Sequence, residues 1–376
     1  LRFPFSRPSF GLGRWEGRDL APFVSLAVLL VFFAFAAPGF FRAATWLAVL
    51  RQGAVLAIVA TGLTYVLICA EIDLAVGMIA LWAACLCGWL FQNWGWCLTN
   101  WFGIRCLAVN WGGLRWPLTG EWVPPLPGEG SAEGLAVVAV IALALVSGLA
   151  LGLASGWLKV WSGLPSFIIT LAMMFIAEGM SRFLTKSATF KVPDVLVALG
   201  NDVIDLGRPL GLPAGWRTFL AIPHSAVVAA AILVIGHLVL QHTRFGRYVY
   251  MTGGNREAAR LAGVRTGRIV VACLAISALT AALGGLLNAG RLTNATLDQN
   301  KDLLLSAVAC VVLGGTSLFG GEGGIGRTLV GVLTFTVLNV GLIQVEWIHE
   351  LARQWLSGLV LLAALVVNGL LAKEKR

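Results

Sequence analysis

Long apolar runs separated by short polar segments set the rhythm of this chain. About ten runs reach the roughly 18–25 residues needed to cross a bilayer as helix. They cover 20–37, 46–69, 72–91, 134–158, 164–184, 223–240, 269–290, 303–319, 325–344 and 353–371. Membrane β-strands would instead alternate apolar and polar positions over about ten residues, so a β-barrel is excluded. The pattern predicts an all-α polytopic membrane protein, with the whole of 1–376 as one transmembrane domain. Glycines interrupt 303–326, which reads either as a full span or as a half-helix that enters and returns.

Composition agrees with the pattern. Of 376 residues, 58% are hydrophobic and 12% charged, with a mean hydropathy of +0.86; a soluble domain carries about 25% charge. After Leu20–Ala37 come Pro38, Gly39 and two phenylalanines rather than a small-residue cleavage site, so a retained first span is expected. The net charge of +9 reads as basic loops held on the cytoplasmic side, and no nucleic-acid partner is expected. Arg2, Arg7, Arg14 and Arg18 mark the tail 1–19, and Lys373, Lys375 and Arg376 end the chain. The segment 241–268 carries Arg244, Arg247, Arg256, Arg260, Arg265 and Arg268. Ten spans place all three on one side, the cytoplasm. Two loops then face outward: 92–133, rich in tryptophan, and 186–221, with Pro193, Pro209 and Pro213.

One short polar stretch stands out, "GGNREAARLAG" at 253–263. Asn255 suits a helix N-cap, Glu257 the positive first turn, Arg260 the negative last turn and Gly263 the left-handed exit. The result is a helix of about two turns, with Ala258, Leu261 and Ala262 at the spacing of an apolar face. So short a helix is unstable alone and must pack on something. It is either a connector on the inner membrane surface, held near anionic lipid, or a docking helix for a cytoplasmic partner. Residue chemistry alone leaves the two even.

This segment resembles the cytoplasmic coupling loop of ABC importer permeases of the ribose/xylose sugar type. The similarity runs through "HTRFGRYVYMTGGNREAARLAGV" (242–264) and "GRPLGLP" (207–213). It includes "VVLGGTSLFGG" (311–321), "PSFIITLAMM" (165–174) and "LRQGAVLAIVATGLTYVLICAEIDLAVG" (50–77). The resemblance implies a homo- or heterodimeric pore in a bacterial inner membrane. Its partners would be cytoplasmic ATPase subunits, a periplasmic sugar-binding protein, a second permease subunit and the lipid bilayer. The cargo implied is a pentose or related monosaccharide. ATP and Mg would bind the partner ATPase, with no cofactor on this chain. Gly254, Asn255, Glu257, Ala258, Ala259, Leu261 and Gly263 would form the coupling surface. Among these, Glu257, Ala258, Ala259 and Gly263 match the family's EAA-type positions.

Other motifs point away from chemistry. Gly321, Gly323 and Gly326 spell the dinucleotide fingerprint, but membrane-length apolar runs flank them instead of a βαβ unit. They are expected to form a tight bend between spans. A Walker phosphate loop is absent from the sequence. His224, His237, His242 and His349 show no metal-ligand spacing, and no catalytic set is expected. Five of the seven cysteines lie in or beside apolar runs; Cys97 and Cys106 share the tryptophan-rich loop, where a disulfide and two free thiols are equally open. That loop reads as lying at the membrane interface or as part of a landing surface for the binding protein.

Glu71 and Asp73 fall at the cytoplasmic boundary, where both are expected to be solvated and Asp73 to cap the next helix. The resembling family usually has glycine where Glu71 stands, and acidic residues where Leu304 and Ser306 stand; Asp298 and Asp302 lie close enough to replace the latter. Gln52, Thr170, Asn288 and Asn339 are polar residues within spans and candidates for the substrate pathway, with interhelical hydrogen bonding as the alternative for each. Rival readings are a branched-chain amino acid permease, an ion-coupled transporter using Glu71 and Glu178, and an enzyme acting on lipid-linked sugar.

Overall fold

The computed structural model describes residues 17–101, 114–115, 122–123, 133–205 and 218–345, with a few positions between 349 and 362. Twelve helices are described: α1 (Gly17–Ala36), α2 (Ala43–Ile68), α3 (Val76–Trp101), α4 (Glu133–Ser162), α5 (Ser166–Thr185), α6 (Asp194–Asn201), α7 (His224–His242), α8 (Arg244–Gly254), α9 (Arg256–Leu261), α10 (Thr266–Arg291), α11 (Leu303–Leu313) and α12 (Ile325–Gln344). Among the described residues seven of these, α2–α5, α7, α10 and α12, are long and apolar enough to cross a membrane. The described residues thus hold seven such helices, against ten expected over the whole chain. In α1 the apolar stretch Pro22–Ala36 falls short of that length. The expected span at 353–371, the tail 1–16 and most of the tryptophan-rich loop lie outside the described residues.

The 303–319 run is resolved by its length. α11 has eleven residues, about 16 Å of helix, against a hydrocarbon core of about 30 Å. Gly314 and Gly315 then turn the chain, Gly315 at φ +79°, so the run is a half-length helix rather than a full span.

α10 is the axis of the bundle and packs on α2, α3, α4 and α6. Its sequence permits this because its inward positions are small: Ala278, Ala281, Ala282, Gly284 and Gly285. α4 answers with Gly148, Gly152 and Gly156, four apart on one face. A Cβ there would meet Ala282, Ala278 and Val271 of α10. Small residues at every fourth position bring two helix backbones together, which replaces the hydrophobic drive that lipid does not supply. The outward faces stay apolar, with Val138, Val146 and Leu153 on α4 and Phe175 and Phe183 on α5 exposed. Their solvent is lipid.

The segment 186–221, expected to face outward, carries more structure than a loop. α6 packs on the end of α10, where Gly200 lies against Gly290 and Arg291. Strand β3 (Phe190–Lys191) pairs antiparallel with β6 (Asn294–Ala295), and β4 (Val203–Asp205) with β5 (Ala221–Pro223). A further pair, β1 (Leu114–Arg115) with β2 (Trp122–Val123), lies in the tryptophan-rich segment.

Candidate functional site

Two sites sit at opposite ends of the same three helices. α2, α10 and α12 each contribute one end to a polar cavity and the other to a loop junction.

The cavity encloses about 670 Å3. Gln52 comes from the first half of α2, Asn288 and Arg291 from the end of α10, Phe335 and Asn339 from α12, and Ser306 from α11. Three of the four expected pathway residues, Gln52, Asn288 and Asn339, thus converge. Asn288 is the best placed. Its Oδ1 accepts from Arg291 Nε at 3.2 Å and Nη2 at 3.0 Å, and its Nδ2 donates to Asn300 Oδ1 at 2.7 Å. The Asn300 amide nitrogen is buried and has no hydrogen-bond partner among the described residues. Amides, one guanidinium and an aromatic ring are the groups that recognise a polyhydroxylated solute through many weak hydrogen bonds. Asp298 and Asp302 also line the cavity. Asp298 pairs with Lys301 at 2.5 Å, and that ammonium holds its carboxyl below the usual carboxylate range.

Thr170 is elsewhere. It is buried in α5, where its hydroxyl donates to Ser166 O at 3.0 Å and accepts from Leu74 N at 3.1 Å. It ties α5 to the loop before α3. Arg291 was missed in the sequence because it falls one residue past an apolar run and reads there as a loop charge.

At the other end, three loops converge on the end of α2. The Ile68 carbonyl accepts from Gly321 N at 2.9 Å. Gly253 lies so close to that carbonyl that an added Cβ would overlap its oxygen, and Gly321 packs on the backbone of Gly254. The glycine-rich segment 313–326 therefore does form a tight bend, with Gly320 and Gly321 at φ +87° and +75°, and its tightness allows Gly253 and Gly254 to touch the end of α2 and the bend backbone to backbone.

α9 forms as its sequence predicts. Asn255 Oδ1 accepts from Ala258 N at 3.0 Å, Glu257 occupies the first turn, Arg260 the last, and Gly263 leaves at φ +83°. The orientation differs from expectation. The expected apolar face points outward: Ala258, Leu261 and Ala262 are exposed, Leu261 to 90%. The helix is anchored instead by Ala259, buried among Val249, Val264 and Ile269. One methyl group buries little area, so α9 needs further ties.

Glu71 supplies them. It is 5% exposed rather than solvated. Its Oε1 lies 3.0 Å from Lys159 Nζ at the end of α4 and also accepts from Arg256 Nη2 at the first position of α9. Asp73 is buried too. Its Oδ1 accepts from Ala75 N at 3.0 Å, one residue ahead of α3 rather than at a helical N–H, and its Oδ2 accepts from Ser277 Oγ at 2.8 Å. Burial pushes the Asp73 carboxyl up to about 6, against the lowering effect of its two hydrogen bonds. Glu178 likewise has a partner, Arg182 at 2.7 Å. The carboxylates that suggested ion coupling are therefore occupied. Cys69, Cys85, Cys87, Cys273 and Cys310 are free and buried; the Cys97–Cys106 question lies outside the described side chains.

Comparison with known proteins fits this arrangement. The chain is 30% identical over 346 residues to the ribose import permease protein RbsC of Escherichia coli (strain K12), covering 92% of each chain. It is 30% identical over 355 residues to the corresponding Bacillus subtilis protein, covering 93% of this chain and 92% of the relative. The xylose transport system permease protein XylH of Escherichia coli is 27% identical over 390 residues, with 90% and 89% covered. No solved structure matches. The family model described as branched-chain amino acid transport system / permease component matches residues 45–367. A helical bundle with a polar cavity at one end, a glycine-locked loop junction at the other and this span of family similarity makes the chain a multi-pass membrane protein belonging to that family of transport-system permease components.

Proposed function

We propose that this chain is the membrane-spanning permease of an ATP-binding-cassette importer for a monosaccharide, a pentose or a close relative. It performs no covalent chemistry; ATP and Mg bind a partner ATPase. The observation that carries this reading is α9: a capped helix held to the bundle by Ala259 and Arg256, with Leu261 left bare. Phe319, 92% exposed in the adjoining glycine bend, extends the same surface. A docking ATPase covers both, contacting Gly254, Asn255, Glu257, Ala258, Leu261 and Gly263, while Ala259 carries the motion inward. α2, α10 and α12 run from that junction to the cavity, so movement at one end reaches the other through rigid helix.

The junction faces the cytoplasm of a bacterial cell and the cavity faces the periplasm, where a sugar-binding protein delivers cargo. Both termini lie with the junction, and a second permease subunit completes the pore. The sugar reading is favoured over an amino acid by the ribose and xylose relatives, which align along nearly the whole chain. Ion coupling loses its motive because Glu71 and Glu178 are both paired.

The test is co-purification from native membranes. The parent chain brings an ATPase whose turnover is stimulated by the binding protein and one monosaccharide of a panel. Leu261→Asp, a surface change, loses the ATPase while keeping its thermal midpoint. An ATPase-free parent that still takes up sugar in ATP-depleted cells rules the importer out.

A further inference from the structure

A second cavity lies beside α9. It holds about 580 Å3 between the last turn of α4, α9 with its exit turn, and the start of α10. Five cationic side chains line it: Lys159, Arg256, Arg260, Arg265 and Arg268. Among the described residues no acidic side chain lines it. Two carboxylates reach these cations from outside. Glu71 is shared between Lys159 and Arg256, and Glu257 lies 3.4 Å from Arg260. Arg265 and Arg268 make no ion pair among the described residues, and an excess of three positive charges remains. Like charges held this close repel and are stabilised by an anion.

The depth of the cavity says where that anion comes from. Lys159 and Val160 are lining residues on the last turn of α4, a helix that packs on α10 along one face and exposes apolar side chains on the other. On the same turns Trp157 and Trp161 stack, ring centroids 5.7 Å apart and 6° from parallel, both exposed. Just past them Leu164, Phe167 and Ile168 are also exposed. Tryptophan beside basic residues at a helix end is the signature of the membrane–water interface. Basic pockets between helices at that level hold lipid head groups.

We propose that this pocket binds the phosphate of an anionic phospholipid from the surrounding leaflet, with Arg265 and Arg268 as its principal ligands and the Trp157–Trp161 pair against the glycerol and upper acyl region. The lipid would brace α9 from the side, leaving Leu261 and Ala258, which do not line the pocket, free for a protein partner. The site does not depend on which solute the cavity at the other end accepts.

Native mass spectrometry of the purified full chain tests this, with phosphatidylglycerol and phosphatidylcholine competing at equal concentration. The parent retains phosphatidylglycerol with at least about fivefold preference, the effect of one basic group near an anionic lipid. Arg265→Gln/Arg268→Gln lowers that preference towards parity while its lipid-free thermal midpoint stays at the parent value. Trp157→Ala/Trp161→Ala lowers retention of both lipids. If the parent shows no preference, the site is not a lipid site, whatever the variants do. If millimolar inorganic phosphate displaces the lipid completely, it is a free-anion site. If phosphatidylglycerol is excluded once an ATPase is bound and the two arginines cross-link to that subunit, it is a protein contact. Each of these three results overturns the proposal.

Discussion

Glu71 and Arg256 stand 185 positions apart and meet in an ion pair that fastens the first residue of α9 to the end of α2. Lys159 joins the same carboxylate from α4 at 3.0 Å. One side chain thus links three elements at the point where α9 leaves the bundle. The pair matters because Ala259 alone gives α9 little buried area.

Removing the carboxylate leaves two cations facing each other with nothing between them. Glu71→Gln is expected to lower stability by about 2–4 kcal/mol, towards the range for breaking a buried pair, and to expose 254–263 to protease. Arg256→Gln costs less, because Lys159 still neutralises Glu71 and Arg256 is partly exposed. Thermal unfolding in detergent with limited proteolysis measures both; equal effects for the two variants would show that Lys159 does not share the load.

The junction makes an opposite prediction for two adjacent glycines. Gly253→Ala places a methyl group onto the Ile68 carbonyl, and neither backbone can retreat without breaking the Gly321–Ile68 hydrogen bond. A loss of several kcal/mol and of uptake is expected. Gly254→Ala meets its nearest atom at 4.0 Å and is tolerated within about 0.5 kcal/mol. Expression level and thermal midpoint of the two variants side by side decide the matter.

Asn288, in the cavity, and Thr170, in a helix contact, give different expectations for binding and stability. Asn288→Leu removes the amide that orders Arg291 and Asn300 in the cavity and should cut substrate affinity about tenfold or more, the cost of one or two polar contacts. Thr170→Val removes hydrogen bonds that join α5 to the α3 loop and should cost about 1–2 kcal/mol of stability with affinity unchanged. Substrate binding measured beside thermal unfolding tells the two apart.

Asp73 gives a pH dependence of stated sign. Its folded value, about 6, lies above the usual unfolded value near 4. The folded state therefore binds more protons between these values, and stability falls as pH rises through that window, by up to about 3 kcal/mol. Above it this group contributes no further slope. Asp73→Asn removes the slope between pH 4 and 6. A parent and variant with parallel melting profiles over that range would show the carboxyl to be ionised throughout.

Local features were legible in the chain itself. Seven of the expected spans have helices within a few residues of their limits, because a run of apolar residues in lipid has no way to satisfy its backbone except as helix; α3 instead runs on to Trp101, past the expected end at 91. The Asn255 cap and the Gly263 exit were equally readable, since both depend on residues no more than a few positions apart. The α11 run was ambiguous because composition does not say where a glycine pair turns the chain.

What the tertiary structure decided was which distant groups meet. The sequence places Glu71 at a span boundary and cannot show that Lys159 and Arg256 arrive beside it, so solvation is the natural reading. It spaces Ala258, Leu261 and Ala262 as an apolar face, but the path of the entering and leaving chain turned Ala259 inward and left Leu261 bare. It offers four polar pathway candidates, and only helix packing brings Gln52, Asn288 and Asn339 to one cavity with Arg291 while leaving Thr170 in a helix contact. Helix formation and capping are satisfied within a few residues, and those the sequence determines by itself. Charge pairing, facing and cavity formation depend on how α2, α10 and α12 pack, and that is a property of the whole bundle.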